Sequence, residues 1–369
     1  MIKKIKNHFL QLSRFNALFA LLIIIFTISI LGQYSANNGT LTDSVQNHIT
    51  RIIFGIGLVL VVYSMDFKIW NNFAYIFYLI SLFFLIMVSL FGTTRLGAQR
   101  WINLYFFSFQ PSEIMKLSLI FAIARYYSML SYTEINEFKN HIIPFLSTII
   151  PAILILKQPD LGTAILLCSC GIGIIFIAGF PIKYFIGLIA TGIALCPLGW
   201  FFLHDYQKNR LLTFLNPEKD PTGIGYHVLQ SKIAIGSGQM FGKGFLQGTQ
   251  SKLYFLPEKN TDFIFTTIAE EVGFVGAIFI ILIFLSLIYG FFLVAKNSKT
   301  TFSRLMCSGL GILLFSHVII NISMVIGLVP VVGIPFPFLS YGGSSMLTFL
   351  ISCGLIMASY NNKTTLSKF

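Results

Sequence analysis

Long apolar runs alternate with short polar connections along almost the whole chain. A helix needs roughly 20 mainly apolar residues to cross a hydrocarbon core of about 30 Å. Ten segments meet this description, near residues 15–33, 50–65, 74–92, 111–127, 142–156, 161–179, 182–203, 263–295, 304–329 and 338–359. The second, fourth and fifth are short or interrupted by polar residues, so nine and eleven spans are alternatives. The pattern predicts an all-α polytopic integral membrane protein with about ten transmembrane helices.

One connection is much longer than the others. Residues 204–262 are hydrophilic and too long for a simple turn, so we expect an ordered, functional loop. Its stretch 226–235 is amphipathic and is able to lie in the plane of a membrane interface. Residues 238–244 read GQMFGKG, which falls one residue short of the spacing of a nucleotide-binding P-loop. We therefore interpret these glycines as flexible backbone beside the membrane.

Composition supports a membrane protein of one domain. Of the 369 residues, 56% are hydrophobic and only 10% are charged, and the mean hydropathy is +0.81. Such values lie far from those of a soluble domain. Because the apolar runs recur from end to end without a flexible linker, we expect a single membrane domain over residues 1–369.

The distribution of basic residues predicts the orientation in the membrane. If the N-terminus is cytoplasmic, most lysines and arginines of the short connections lie inside, as the positive-inside rule requires. Both termini are then cytoplasmic, and the long loop 204–262 is extracytoplasmic. The basic lead before the first span resembles a signal peptide without a cleavage site, and we interpret it as a retained signal-anchor. The net charge of +12 then reflects topology and anionic lipid rather than nucleic acid.

Two charged residues stand inside the fourth predicted span. Each costs roughly 2.5 to 3.5 kcal/mol at the centre of a membrane helix. Glu113 and Lys116 follow Pro111, which suits the first turn of a helix, and their separation of three residues places them on one face. They form either a buried structural ion pair or part of a functional site.

Further polar residues lie at the predicted outer ends of spans. Asp160 and Asp262 each precede an apolar run, where an aspartate is either a helix cap or a functional group. Arg100 is either an interfacial anchor in an aromatic belt or a ligand for phosphate oxygens. Ser340 and Tyr341 are expected in the first turns of the last span, where such residues allow close helix packing or line a polar cavity.

A phosphorylated lipid presenting its headgroup on the outer side suits this combination. The helices that start near Pro111 and Asp262 would point their positive ends at phosphate. Glycosyl transfer from a sugar pyrophosphate needs one general base and cationic help for the departing group. Asp262 would be the base, and Arg100, Lys116 or a divalent cation such as Mg²⁺ or Mn²⁺ would stabilise the leaving pyrophosphate.

Six motifs between residues 90 and 346 resemble those of the SEDS family (shape, elongation, division and sporulation), in its rod-shape rather than its division branch. They read RLGAQRWI, FQPSEIMK, QPDLGTA, QSKIAIGSGQMFGKGF, GTQSKLYFLPEKNTDFIFTTIAEEVGFVG and PVVGIPFPFLSYGGSS. In that resemblance, Asp262 matches an essential aspartate, and Glu113 and Lys116 match a polar pair of the fourth span. The sequence departs from the family at Asn260, where a histidine is frequent, and at Gln239, where glycine is expected.

The resemblance implies a peptidoglycan glycosyltransferase of the bacterial plasma membrane. Such an enzyme polymerises lipid II into a growing lipid-linked glycan strand and releases undecaprenyl pyrophosphate. Its expected partners are a class B penicillin-binding protein, which is the transpeptidase, and other membrane proteins of the elongation complex. Two alternatives stay open: a lipid II flippase would need a path to the inner leaflet, and a non-catalytic scaffold would need no base.

Overall fold

The computed structural model describes residues 2–95, 98–104, 107–202, 205–220, 223–252 and 258–365. Within these ranges the chain forms α1 (Ile2–Ala36), α2 (Asp43–Ser64), α3 (Phe67–Asn72), α4 (Ala74–Phe91), α5 (Pro111–Met129), α6 (Tyr132–Ile135), α7 (Ile142–Lys157), α8 (Leu161–Ala178), α9 (Ile182–Phe202), α10 (Asp205–Leu215), α11 (Ile224–Ser237), α12 (Thr249–Lys252), α13 (Ile264–Lys296), α14 (Thr301–Val325) and α15 (Gly343–Thr365). The predicted all-α membrane architecture is confirmed.

Ten of these helices match the ten predicted spans. In the described residues, eight helices are long and apolar enough to cross a membrane by length and hydropathy. The other two are α5 and α9. Helix α5 carries three charged side chains, Glu113, Lys116 and Arg125, which lower its hydropathy, and α9 is apolar over Ile182–Gly192.

A small antiparallel sheet between α4 and α5 was not predicted. Its strands are β1 (Thr93–Arg95), β2 (Ala98–Leu104) and β3 (Phe107–Phe109), with β2 in the middle. Thr93 pairs with Trp101, and Ile102 pairs with Phe109. Aromatic and β-branched residues favour strands. The sheet carries Arg100 on its central strand.

Helix α14 lies at the centre of the bundle, in contact with α13, α8 and α5. Around it, α15 packs against α2, α4 against α5, and α7 against α8. Buried apolar side chains from these helices form one large cluster. The central position of α14 and α5 explains why most of their side chains are buried, polar ones included.

Helix α13 is broken at Gly273, although the sequence predicted one continuous span. Gly273 has φ 70° and ψ −170°, a conformation that glycine adopts far more readily than other residues. The amide of Phe274 donates to the carbonyl of Gln239 (2.8 Å), and that of Val275 donates to Met240 (3.1 Å). The loop before α12 therefore satisfies backbone groups that the break releases.

The last long helix starts later than predicted. Helix α15 begins at Gly343, so Ser340 and Tyr341 precede it rather than lying in its first turns. Pro335 and Pro337 lack the amide hydrogens that a helix requires. Phe338 adopts φ 62°, which is also incompatible with a helix.

The amphipathic stretch of the long loop is helical, but it does not stand alone. Helix α11 packs against α13 and α14. The hydroxyl of Ser231 is buried, lies 2.8 Å from that of Thr266, and donates to the carbonyl of Val325 (2.8 Å). Polar groups buried between helices need such partners, so α11 packs as part of the helix bundle.

Candidate active site

Asp262 lies in a turn immediately before α13. The residue that caps α13 is Phe263, without a side-chain hydrogen bond to the helix. The alternative that Asp262 caps its helix is therefore wrong. The Asp262 side chain is partly exposed, and it accepts no hydrogen bond from the residues that the structure describes. The carboxylate of a helix cap is occupied by backbone amides, whereas the Asp262 carboxylate is available for chemistry.

Side chains from α14 and from the segment before α15 hold the backbone on both sides of Asp262. The amide of Asn321 donates to the carbonyls of Asp262 (2.9 Å) and Ile334 (2.7 Å). The hydroxyl of Ser340 donates to the carbonyl of Thr261 (2.6 Å). Both side chains are buried, so these bonds are shielded from water. The position of the Asp262 carboxylate is thereby fixed relative to α14.

Asn260, two residues before Asp262, is held in the same way by α1. The amide of Gln33 donates to the carbonyls of Asn260 and Leu339, both at 2.8 Å. The backbone amide of Tyr341 also donates to the carbonyl of Asn260 (2.8 Å). The Asn260 side chain accepts from Asn37 at 3.4 Å. Asn260 therefore contributes mainly through its backbone, which any residue at this position retains.

The surroundings of Asp262 raise its pKa to about 7. Partial burial is the main cause, because reduced contact with water disfavours the charged carboxylate. The negative charges of Glu258 and Asp160 add to this increase, while the positive charges of Arg210 and Arg100 oppose it. A carboxyl with a pKa near neutrality is suited to accept a proton at physiological pH.

Asp160 and Arg100 lie together near Asp262. Asp160 caps α8, because its carboxylate accepts from the backbone amide of Thr163 (3.1 Å) and from the Thr163 hydroxyl (2.8 Å). Of the two alternatives for Asp160, the helix cap is therefore present in the structure, and a role in substrate binding stays a prediction. The same carboxylate lies 3.5 Å from Nε of Arg100. Another nitrogen of this side chain, Nη2, donates to the carbonyl of Pro159. These contacts orient the guanidinium at the start of α8.

Glu113 and Lys116 form the predicted ion pair, with 2.9 Å between Nζ of Lys116 and a carboxylate oxygen of Glu113. Both side chains are buried between α5 and α14, deeper in the helix packing than the sequence suggested. A third group, His317 of α14, lies 3.0 Å from Nζ of Lys116. The second oxygen of Glu113 has no hydrogen-bond partner among the described residues.

The predicted residues Ser340 and Tyr341 differ in what they offer a substrate. The Ser340 hydroxyl is buried and also accepts from the backbone amide of Phe336 (2.7 Å), which favours a positioning role. The Tyr341 ring is partly exposed, and the guanidinium of Arg51 lies 4.4 Å from its centre. A cation stacked on an aromatic ring in this way remains able to bind an anion.

Six further polar residues near these groups were not predicted as part of a site: Arg51, Arg210, Lys232, His317, Gln33 and Asn321. Arg210 and Lys232 line a shallow groove beside the segment that links α14 and α15. Their positive charge is visible in the sequence, but nothing local indicates that α10 and α11 fold back onto α13 and α14. A larger groove between α1, α13 and α15 lies at the other end of the bundle, and its lining is almost wholly apolar.

The part of the chain that the structure describes holds no cluster of three His, Cys, Asp or Glu side chains suited to a metal ion. Mg²⁺ is commonly held by one or two carboxylates together with substrate phosphates. Asp160 already serves as a cap and as a partner of Arg100. Asp262 and Glu258, whose charge acts on Asp262, are the other carboxylates near this site.

The bundle of long apolar helices makes this a polytopic membrane protein. The carboxyl of raised pKa that lies near arginines at one end of the bundle is its candidate active site. The chain belongs to the cell cycle protein family that comprises FtsW, RodA and SpoVE, whose model matches residues 9–365. This confirms the resemblance found in the motifs.

Known proteins similar to this chain come from several bacteria. The chain is 39% identical to the peptidoglycan glycosyltransferase MrdB of Escherichia coli K12, over 94% of both chains. It is 34% identical to the stage V sporulation protein E of Bacillus subtilis, over 91% of this chain and 93% of that protein.

Two solved structures share the fold. One is a chain of a peptidoglycan synthase complex that coordinates polymerization and crosslinking, with a TM-score of 0.82 and 27% identity over 94% of this chain and 97% of the other. The second is the rod shape determining protein RodA of Thermus thermophilus, with a TM-score of 0.70 and 24% identity over 94% of this chain and 96% of the other.

Proposed function

We propose that this chain is a peptidoglycan glycosyltransferase that polymerises lipid II into glycan strands, with Asp262 as the general base. The observation that carries the proposal is a carboxyl with a pKa of about 7, held on a backbone that Asn321 and Ser340 fix from two sides. The relative MrdB, named a peptidoglycan glycosyltransferase, supports the reaction class.

In the proposed reaction, the Asp262 carboxylate accepts the proton of an acceptor sugar hydroxyl. The oxygen of that hydroxyl bonds to the anomeric carbon of the donor sugar while the bond between that carbon and the pyrophosphate oxygen breaks. Undecaprenyl pyrophosphate leaves with the electron pair of the broken bond. General base catalysis of this kind contributes typically 10²- to 10⁴-fold to the rate.

The arginines of the site would stabilise the leaving pyrophosphate. Arg100 and Arg210 both act on the charge of Asp262, and a guanidinium matches phosphate oxygens with two hydrogen bonds. Asp160 orients Arg100, and Tyr341 with Arg51 offers a partly exposed surface to sugar or phosphate. Glu113 and Lys116 complete the proposed substrate-binding set from inside the bundle, where an oxygen of Glu113 has no donor among the described residues.

A divalent cation, Mg²⁺ or Mn²⁺, is part of the proposal as an ion that binds together with the substrate. The pyrophosphate oxygens would supply most of its ligands, in keeping with the preference of Mg²⁺ for few carboxylates, so that Asp262 would stay free to act as the base. Such an ion supplies positive charge that neutralises the leaving group.

We place the protein in the bacterial plasma membrane with both termini cytoplasmic and the Asp262 end outside, on the pattern of basic residues. The proposed partner is a class B penicillin-binding protein that crosslinks the new strands, joined by other elongation-complex membrane proteins. The similarity to a chain of a synthase complex that couples polymerization with crosslinking supports such a partner.

The test is Asp262→Asn, which keeps the size of the side chain and removes the base. Purified with its transpeptidase partner, the variant should polymerise lipid II about 10²- to 10⁴-fold more slowly and still bind lipid II. Asp43→Asn, an exposed substitution at the start of α2, is the matched control and should polymerise normally. Strand synthesis by Asp262→Asn near the unmutated rate would favour a flippase or a scaffold, neither of which needs a proton acceptor.

A further inference from the structure

Two adjacent carboxylates of α13 have no place in the proposed reaction. Glu270 and Glu271 are both buried, and they stand just before the break at Gly273. A buried carboxylate is costly unless it is paired or hydrogen-bonded. Both are hydrogen-bonded by residues 238–250, the loop between α11 and α12 with the start of α12, which we call the latch. Only Oε2 of Glu270 has no hydrogen-bond partner among the described residues.

Glu270 binds three parts of the latch through one oxygen. It accepts hydrogen bonds from Nζ of Lys243 (2.6 Å), from the backbone amide of Thr249 (2.8 Å) and from that of Gln250 (3.2 Å). The hydroxyl of Thr249 adds a fourth bond at 3.1 Å. Hydrogen bonds to a charged acceptor are roughly twice as strong as neutral ones. The end of the latch is therefore tied to α13 by the carboxylate.

Glu271 binds the middle of the latch and the end of α1. It accepts from the backbone amides of Leu246 and Gly248, and from the hydroxyl of Ser35. Because Gln33, two residues before Ser35, also holds the carbonyl of Asn260, the end of α1 contacts both the latch region and the turn that carries Asp262.

The backbone of the latch also fits into the break itself. The amide of Lys243 donates to the carbonyl of Glu270 (3.1 Å), and that of Gly244 donates to Glu271 (3.0 Å). A Cβ atom on Gly242 would lie 2.0 Å from the carbonyl oxygen of Glu271, and one on Gly273 would lie 2.2 Å from the amide nitrogen of Gly242. The two backbones are in direct contact, which only glycine permits here. Gly242 of the GQMFGKG stretch thus serves close packing rather than flexibility.

The latch contacts one end of a short helical piece, and Asp262 lies just before the other end. Residues 264–272 form about two and a half turns of rigid helix between the Asp262 turn and the break. We infer that Glu270 and Glu271 are positioning residues: by holding the latch in the break, they fix this piece and hence the place of the Asp262 carboxylate. The inference rests on the proposed function in one respect, because the group that is positioned is the proposed base.

The experiment compares Glu270→Gln and Glu271→Gln in the full chain with its transpeptidase partner. Displacement of a reacting group by about 1 Å costs up to 10²-fold in rate, so kcat for strand synthesis should fall by roughly 10- to 100-fold while KM for lipid II changes little. Hydrogen–deuterium exchange of peptides that cover residues 258–268 should become faster in the same variants. Glu137→Gln, an exposed acid in the loop between α6 and α7, is the matched control and should change neither quantity.

Lys243 supplies a second pair of variants that perturb the latch more gently. Lys243→Arg keeps the charge that pairs with Glu270, whereas Lys243→Gln removes it. We expect near-normal kcat and exchange for Lys243→Arg, and intermediate losses for Lys243→Gln. This pair keeps the inference testable if the glutamate variants do not fold.

Two results would overturn the inference. One is an unchanged kcat per folded molecule in the glutamate variants, with losses confined to the amount of folded protein, because that is the behaviour of a merely structural contact. The other is unchanged exchange over residues 258–268. Exchange is measured without substrate, so it separates the two proposals: if Asp262→Asn polymerises normally while Glu270→Gln still loosens residues 258–268, the catalytic assignment fails and the positioning role stands.

Discussion

Nζ of Lys116 lies 3.0 Å from Nε2 of His317, although the two residues are 201 positions apart in the chain. Nδ1 of His317 lies 2.9 Å from the carbonyl of Leu313, so Nδ1 donates there and Nε2 accepts from Lys116. The buried ammonium is therefore shared between the carboxylate of Glu113 and a neutral imidazole. All three groups are buried, so each depends on the others for its polar contacts.

The first prediction concerns the ion pair of this cluster. Removing one partner of a buried pair leaves an unpaired charge, at a cost of about 3 to 5 kcal/mol. His317 reduces this cost for Lys116, so we expect Glu113→Gln to accumulate in the membrane in folded form and yet to lose polymerising activity. The measurement is strand synthesis from lipid II, normalised to folded protein. Ser316→Ala, beside His317 on α14, is the control, and normal synthesis by both Glu113→Gln and Lys116→Gln would exclude an essential role.

A second prediction follows from the pKa of about 7 for Asp262. A general base works in its deprotonated form, so kcat/KM should rise with pH and level off above an apparent pKa near 7. Charges next to Asp262 should shift the rising part of this pH profile in opposite directions. Arg210→Gln removes a charge that lowers the pKa of Asp262, so the rise should move to higher pH. Glu258→Gln removes a charge that raises this pKa, so the rise should move to lower pH. Shifts of the same sign in both variants would contradict the assignment, and Asp43→Asn should shift nothing.

The third prediction is the orientation in the membrane. A cysteine at position 219, in the long loop, should react with an impermeant maleimide added to the outside of intact cells, since the loop is expected to be extracytoplasmic. A cysteine at position 299, between α13 and α14, should react only after the membrane is opened. The reverse pattern would invalidate both the topology and the placement of the site.

Local sequence patterns predicted part of the site, and the remainder depends on contacts between distant segments. The cap by Asp160 and the pair of Glu113 with Lys116 could be predicted because each involves residues three positions apart. His317 was missed since its partner lies on another helix. The break at Gly273 was missed because a glycine within an apolar helical run commonly leaves the helix intact in membranes. The latch that stabilises this break comes from a loop some thirty residues earlier in the chain.

A fourth prediction concerns metal removal. Chelation by EDTA should lower strand synthesis, and Mg²⁺ or Mn²⁺ should restore it, because the ion neutralises the leaving pyrophosphate. The described residues offer no three-ligand cluster, so the ion alone should not raise the Tm of the protein, whereas the ion with lipid II should. Full activity in EDTA would exclude a required divalent cation.

The last prediction joins the site to the stability of the fold. The folded-state pKa of Asp262, about 7, lies above its ordinary value of 3.8, so the folded protein retains this proton where the unfolded chain has lost it. The carboxyl therefore favours folding fully below about pH 4, and this contribution is lost progressively as the pH rises towards 7. An asparagine side chain at this position does not titrate, so Asp262→Asn should have a higher Tm than the unmutated protein at about pH 8, and the difference should shrink at about pH 5. Thermal unfolding of detergent-solubilised protein at the two pH values measures this, with the exposed substitution Asp43→Asn as the control. A difference that grows on acidification would mean that the carboxylate is stabilised as an ion, which is incompatible with a base of raised pKa.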